Sequence, residues 1–296
     1  MSNPPKSGGS AGKELLVPAD ARLARRRFAR LVETTDPINV TEVALAIAQE
    51  ERPQLELARC RENLRELVDS YQEIRLETGP VSARDEARLL CRFLAEEQGY
   101  MGNEEEYYDP DNSYLDQVLE RRMGIPISLA LVYLHVGRGV GLNIQGIGFP
   151  GHFLVAVVVD DGRELIDPFT GRLVTDSGLQ QLLDRLQKPA VELAERFTQP
   201  ISGREFVMRV LNNLRAIYQQ QADYPRLLAC CDRILLLEPH NTHELLQRVT
   251  VYQRLNHSAL ALTELTRLRA SATNPAFRLR LEQMMLEMDA DQGPIH

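Results

Sequence analysis

The chain has 296 residues, of which 44% are hydrophobic, and carries 34 basic and 42 acidic side chains for a net charge of −8. That length is enough for two or three domains with a sizeable core. The acidic balance argues against non-specific nucleic-acid binding, which needs a basic surface. No run of ~18 apolar residues predicts a membrane span. The N-terminal segment lacks the apolar stretch of a secretory signal, which favours the cytoplasm.

Two local features are interpreted in structural terms. The basic run RLARRRFAR (22–30) is spread around a helix by its spacing, and we interpret it as a solvated face rather than a nucleic-acid or membrane patch. The cysteines have irregular spacing, which predicts no disulfide framework and no zinc site. They are Cys60, Cys91, Cys230 and Cys231. No Gly-rich phosphate loop follows a strand, so we expect neither a cofactor nor a metal.

The first hundred residues divide into a tail and a helical region. Residues 1–19 are rich in Gly, Ser and Pro and predict a disordered tail. Residues 20–105 carry apolar side chains at intervals of three and four, as in RENLRELVDSYQEIRLE (61–77), and predict a helical N-terminal region. Ser82 is the expected N-cap of its last helix, whose apolar face would bury Cys91.

A mixed region, residues 106–197, follows and predicts a core domain. It opens on a polar loop, YMGNEEEYYDPDN (100–112), whose carboxylates suit either a cation or simple solvation, and we favour solvation. A short helix is then expected to end at Gly124. In GIPISLALVYLHV, Pro126 suits the first position of a new helix. That helix is apolar nearly all round, so it should be central and buried.

The period then changes to that of β-strands. The predicted strands are NIQGIGF (143–149), HFLVAVVVD (152–160) and RELIDPF (163–169), and Asp161-Gly162 predicts a hairpin turn between the last two. Folding this hairpin brings His152 and Asp167 to the same end of the sheet, with an offset of up to a few residues.

The last part of the chain, residues 204–290, contains an internal repeat of two helical hairpins. The period is thirty-four residues, so that Leu211 corresponds to Leu245 and Tyr218 to Tyr252. A unit of this length, with an aromatic residue on its first helix and a closing proline, resembles the tetratricopeptide repeat. Two such units and a final helix would present a concave surface to a protein or peptide partner.

Three residues have the types and chain order of a papain-like catalytic triad. Ser128 lies in the first turn of a helix, His152 begins a strand and Asp167 ends the next. The histidine would act as a base and the carboxylate would set its tautomer. Ser128 has two possible roles, as a weak nucleophile or as a first-turn residue that binds a free helix N–H. His135, two turns later, is interpreted as a structural histidine.

Residues 107–171 resemble the bacterial SirB-type proteins, which combine a transglutaminase-like core with C-terminal tetratricopeptide repeats. The resemblance depends on NSYL (112–115), GIPISL (124–129), PGHF (150–153) and IDPF (166–169). It implies a predominantly helical α+β fold with a papain-like core, a small antiparallel sheet and helical repeats. In the register of the family, His152 and Asp167 match its His and Asp. The nucleophilic cysteine position falls on Pro126, or on Ser128 if shifted by two residues.

The leading hypothesis is therefore an interaction or regulatory protein in which a catalytically degenerate transglutaminase-like core accompanies a partner-binding repeat region. Such a core would still bind a peptide or small ligand near His152 and Asp167. The alternative is an enzyme, an amide-bond hydrolase or acyltransferase that uses Ser128, His152 and Asp167. A serine needs hydrogen-bond contact with the histidine to serve as a nucleophile, so the position of the Ser128 hydroxyl separates the two hypotheses.

Overall fold

The computed structural model describes residues 19–33, 37–79, 81–159, 162–184 and 199–291. The predicted disordered tail, apart from residue 19, lies outside these ranges, as do residues 185–197 of the predicted core domain. The described helices are α1 Arg22–Glu33, α2 Val40–Glu51, α3 Leu57–Thr78, α4 Ala83–Cys91, α5 Leu115–Arg121, α6 Pro126–Gly139, α7 Asp176–Asp184, α8 Gly203–Gln220, α9 Tyr224–Leu237, α10 Thr242–Arg254, α11 Ser258–Ser271 and α12 Pro275–Asp291. The strands are β1 Met101–Gly102, β2 Met123–Gly124, β3 Ile144–Ile147, β4 Leu154–Val159, β5 Gly162–Asp167 and β6 Arg172–Leu173.

Helices α1 to α4 form the N-terminal region, as the three- and four-residue spacing predicts. Side chains cap two of them, since Asn39 accepts a hydrogen bond from Glu42 N–H at 3.1 Å. Ser82 is the predicted cap of α4, and its hydroxyl accepts from Asp85 N–H at 3.2 Å. A π-helical turn, Arg92–Glu97, continues α4. None of the described helices is long and apolar enough to cross a membrane.

The basic run on α1 is not a solvated face throughout. Arg25 is largely buried, with 15% of its side chain exposed, and it pairs with Glu50 and with Asp232 at 3.1 Å. Arg27 pairs with Glu42. The interpretation as a solvated face is therefore wrong for Arg25, because its charge joins α1 to α2 and to the repeat helix α9.

The core is built around α6, which is buried almost completely and packs on α3, β3 and β4. The main sheet is antiparallel with the order β3-β4-β5-β6, and Val155 pairs with Ile166 across its central strands. The alternation predicted for β4 is confirmed. Val155 and Val157 belong to the main core, whereas Leu154 and Ala156 belong to a smaller cluster on the other face.

The end of α5 differs from the expectation. The helix stops at Arg121, and Arg122 then takes a left-handed conformation with φ 58°. Gly124 is therefore not the residue that ends the helix. It lies in β2, which pairs in parallel with β1 and brings Gly124 opposite Gly102. Strand pairing with a segment twenty-two residues earlier overrides the local stop signal.

The C-terminal region has the predicted repeat architecture. Helices α8 and α9 form one hairpin, α10 and α11 form the next, and α12 packs on α11. Tyr218 and Tyr252, which are equivalent in the thirty-four-residue period, are both buried. Arg248 joins the two hairpins through Asp232 at 2.9 Å, and it also pairs with Glu264 of its own hairpin at 2.7 Å. Helix α8 also packs on α2 and α6, so the first repeat is part of the core.

Candidate functional site

The loop between β3 and β4 places His152 at the end of the sheet. Gly151 has φ +69°, a left-handed conformation that a side chain disfavours, and His152 N–H donates to the Phe149 carbonyl at 3.2 Å. If the β4–β5 register is continued from Val155↔Ile166, Leu154 faces Asp167. His152 is therefore offset by two residues from Asp167, within the range that the hairpin pattern predicts.

His152 and Asp167 form a direct hydrogen bond, with Nε2 and Oδ1 2.9 Å apart. Oδ1 also accepts from Phe169 N–H at 2.9 Å. Burial raises the pKa of the Asp167 carboxyl, but the hydrogen bond and charge of His152 and the Phe169 N–H outweigh burial and hold that pKa below its usual range. Because the ionised carboxylate has no proton to donate, Nε2 carries the hydrogen. The Nδ1 atom of neutral His152 is then a proton acceptor.

Ser128 is directed away from this pair. It is 3% exposed, and its hydroxyl donates to the Asn112 carbonyl at 2.5 Å and accepts from Ile125 N–H at 3.1 Å. The second contact satisfies an N–H at the start of α6, as a capping-box side chain does. A hydroxyl has one proton, and here it is donated to a carbonyl. The structure brings His152 and Asp167 together and places Ser128 in the helix start instead.

Gly124 provides the space for this serine. A Cβ at Gly124 would lie 2.7 Å from Ser128 Oγ and 3.2 Å from Val118 Cγ2. The glycine is therefore required by close approach rather than by a turn.

Pro126 is the residue of α6 that shares both lobes of the cleft with His152. It is the first residue of the helix, and it lines both cavities that meet at the histidine. A thiol here would have the helix N-terminus and an imidazole beside it. Proline has neither a nucleophilic side chain nor a backbone N–H to donate to an oxyanion.

The other candidate residues are separate from the site. Cys91 is buried, and burial, followed by the charges of Glu96 and Asp167, raises the pKa of its thiol to about 12. Such a thiol stays protonated at neutral pH and is a poor nucleophile. His135 Nδ1 lies 3.2 Å from Thr41 Oγ1 and borders a different cavity.

A cleft with two lobes surrounds His152. The large lobe has a volume of about 780 Å³ and the small lobe about 260 Å³. Four residues line both lobes and form the constriction between them. They are Tyr107, Pro126, Gly151 and His152. Two cavities that meet at these four residues leave room for a ligand on both sides of His152.

Asn112 organises the loop that carries Tyr107 to this constriction. Its side-chain amide donates to the Glu106 carbonyl at 2.7 Å, and its side-chain oxygen accepts from Asn103 Nδ2 at 3.1 Å. The Tyr107 ring lies 5.9 Å from the Phe169 ring. Asn112 therefore supports both the Ser128 hydroxyl and the position of Tyr107.

The acidic side chains of this loop are partly neutralised by arginines. Asp109 pairs with Arg121 at 2.7 Å, and Asp111 pairs with Arg52. Within the described ranges, no group of three or more His, Cys, Asp or Glu side chains is arranged to hold a metal ion.

Arg209, on the first repeat helix α8, anchors the His152 loop. Its guanidinium donates to three backbone carbonyls, those of Gly148 at 2.7 Å, Phe149 at 2.9 Å and His152 at 3.3 Å. Helix α8 therefore contributes directly to the geometry of the site.

Sequence reasoning missed Tyr107, Asn112 and Arg209. Asn112 lies within the NSYL motif and Tyr107 at the edge of the family-like segment, so the resemblance was an available signal for both. Arg209 carries no local signal, because it reaches the loop from a helix sixty residues later.

A buried helix that packs on an antiparallel sheet with a His–Asp pair at its end, followed by helical repeats, defines a transglutaminase-like protein with tetratricopeptide repeats. The family model described as the transglutaminase-like superfamily matches residues 58–212, and the tetratricopeptide-repeat model matches residues 214–285.

Relatives from bacteria match more than two thirds of the chain. A UPF0162 protein of Xylella fastidiosa is 37% identical over 241 residues, covering 78% of this chain and 83% of the relative. A UPF0162 protein of Vibrio cholerae is 30% identical, covering 78% and 86%. Protein SirB1 of Salmonella typhimurium is 25% identical over 208 residues, covering 69% and 76%. The chain belongs to the transglutaminase-like family of these SirB-type proteins, as the motifs predict.

Proposed function

We propose that the protein is an interaction or regulatory protein whose transglutaminase-like core binds a peptide without nucleophilic catalysis. The repeat region is proposed to bind a protein partner. The observation that carries the proposal is the hydroxyl of Ser128, which donates to the Asn112 carbonyl at 2.5 Å. A serine in this position has no proton to share with His152.

The chemistry of the first helical turn supports the same proposal. A serine hydroxyl is a far weaker acid than a thiol, so a helix N-terminus alone does not ionise it, and it depends on a base within hydrogen-bond distance. Pro126, the first residue of α6, lines the cleft together with His152 and supplies no backbone N–H. The cleft, the His152–Asp167 pair and the aromatic residues around them remain as a binding surface.

The surface proposed for the partner lies on the later repeat helices. Helix α8 is covered on one face by α2 and α6, so the first hairpin is not free on that side. Helix α12 exposes Leu279 and Leu286, which are seven residues apart and therefore on one face. Exposed leucines on one face of a terminal helix are typical of a protein contact.

Cytoplasmic location is part of the proposal. All four cysteines are free and buried, which is the usual state in a reducing compartment.

The absence of a serine nucleophile is tested with a fluorophosphonate probe on the full chain. We expect no labelling of the native protein at Ser128. Labelling that disappears in Ser128→Ala would overturn the proposal and establish the enzyme.

The repeat surface is tested by quantitative affinity capture from bacterial extract. Removing the repeats at residue 203 is a poor test, because it also removes Arg209 and the buried face of α8. The double variant Leu279→Glu, Leu286→Glu changes exposed side chains alone, and Leu76→Glu on α3 is the matched control because Leu76 is 73% exposed outside the repeats. We expect the double variant to lose the captured partner and the control to keep it. If the double variant and the control captured equal amounts of the partner, α12 would not be the surface that binds it.

A further inference from the structure

The small lobe of the cleft has a distinct chemical character. It is bordered by one guanidinium, one imidazole and two primary amides, and none of its lining residues is a carboxylate. The guanidinium belongs to Arg209 and the amides to Asn212 and Asn213. Asn212 and Asn213 lie three and four positions after Arg209 on α8, so each neighbours Arg209 on the helix surface.

The amides of the lobe have hydrogen-bonding capacity that the protein itself does not use. No hydrogen bond to Asn212 or Asn213 side chains occurs within the part of the chain that the structure describes, and Asn213 is exposed while Asn212 is half-buried. Each amide has two N–H donors and a carbonyl acceptor. Two adjacent amides beside an open lobe therefore offer several donors to a ligand.

Arg209 supplies positive charge to the same lobe. Its contacts are to carbonyls, which are neutral, and they leave part of its donor set unused. Burial lowers the pKa of its guanidinium, and the Glu205 charge opposes this change. Glu205 forms its hydrogen bonds with Ser202 at the start of α8 instead. The lobe therefore carries a cation that no carboxylate of its lining offsets.

We propose that the small lobe binds the C-terminal carboxylate of an extended peptide. The inference deepens the proposed peptide-binding function and rests on it. Arg209, Asn212 and Asn213 hold the carboxylate, and the preceding residues of the peptide pass between Tyr107 and His152 into the large lobe.

Charge and shape both favour this ligand. A C-terminal carboxyl group has a pKa of about 3.3–3.7, so it is ionised at neutral pH. Its two oxygens accept hydrogen bonds from the amide and guanidinium donors. The small lobe has a volume of about 260 Å³, a third of the volume of the large lobe at about 780 Å³. The small lobe therefore suits the C-terminal end of the peptide, and the large lobe suits the residues that precede it. The apolar ring of Pro126 and the aromatic ring of Tyr107 would cover the peptide at the constriction.

The test is an NMR titration of the ¹⁵N-labelled full chain. The probes are a pool of N-acetylated hexapeptides of randomised sequence without Asp or Glu, the same pool with C-terminal amides, and acetate. We expect the acid pool to shift the side-chain amide signals of Asn212 and Asn213 to saturation, and the amide pool and acetate to bind much more weakly.

The matched variants are Asn213→Asp and Gln219→Glu. Each adds one negative charge to α8 without changing size, but Gln219 lies outside the lobe. Losing a hydrogen bond to a charged group corresponds to about a tenfold loss of affinity. We therefore expect Asn213→Asp to bind the acid pool at least about tenfold more weakly than the native chain. We expect Gln219→Glu to bind this pool as tightly as the native chain does.

Three results would overturn the inference. They are equal binding of the acid and amide pools, acetate binding as tight as that of the acid pool, or no shift at either asparagine with any probe. Equal binding of the acid and amide pools would reject recognition of the C-terminal carboxylate, but it would not contradict the proposal that the core binds a peptide. The proposed function as a whole fails separately, through labelling of Ser128.

Discussion

Replacing Pro126 with cysteine should create a reactive thiol, because the structure places this position at the N-terminus of α6 and in the cleft that His152 lines. The α6 helix is fourteen residues long, and Pro126 is its first residue. The substitution Pro126→Cys restores a thiol and a backbone N–H together. Proline at this position stabilises by reducing the freedom of the unfolded chain, so its loss should cost only about 0.4–1 kcal/mol of stability.

The expected size of the effect follows from the thiol pKa. A free thiol has a pKa of about 8.5, and a thiol at a helix N-terminus beside an imidazole falls to roughly 3.5–7.5. At a pKa of about 6.5, the thiolate fraction at pH 7 rises from about 3% to about 75%. The lower basicity reduces the nucleophilicity of the thiolate by roughly eightfold. The net gain in alkylation rate is therefore about threefold at pH 7 and about tenfold at pH 5.5.

The assay is the pH dependence of iodoacetamide alkylation, followed by mass spectrometry. The native thiols give little background, since all four are buried and burial raises the pKa of Cys91 and Cys230 to about 12. We expect the rate for Pro126→Cys to have its midpoint near pH 6.5, and to move upward when His152→Ala is added. A midpoint near 8.5 that is insensitive to His152 would refute the placement of Pro126 at the nucleophile position.

Two further predictions concern the buried hydrogen bonds of the core. Ser128→Ala should lower the free energy of unfolding by about 1–2 kcal/mol, because it removes a cap and a buried hydrogen bond. Ser113→Ala is its control in urea unfolding, since the Ser113 hydroxyl is buried without a partner, and equal losses would contradict the argument. Asp167→Asn should reduce the amount of stability that the protein loses as the pH is lowered. The folded-state pKa of Asp167 is depressed, so its contribution is present above the unfolded pKa of about 3.9 and is lost as pH falls through the folded value. The melting temperatures of the native and Asp167→Asn chains should therefore approach each other below about pH 4. A difference in melting temperature that stays constant down to the lowest pH would contradict this role of the Asp167 carboxylate.

The sequence by itself determined the features that depend on local periodicity. The three- and four-residue spacing of apolar side chains predicted α1 to α4, and the thirty-four-residue period predicted the two repeat hairpins. The alternation in β4 and the hairpin brought His152 and Asp167 to one end of the sheet. Proline at the start of α6 also followed from local chemistry, because a missing N–H costs nothing there. Neighbouring residues along the chain decide such features.

Only the tertiary structure decided what the site contains. The Ser128 hydroxyl bonds to Asn112, sixteen residues away, and Arg209 bonds to the Phe149 carbonyl, sixty residues away. Arg25 reaches Asp232 across more than two hundred residues, so a run that reads as a solvated face is partly buried. Each contact depends on how separate elements pack, and helical or strand periodicity contains no information about that packing. The first turn of α6 was therefore predictable as a helix start, whereas the direction of its serine was decided by the loop folded against it.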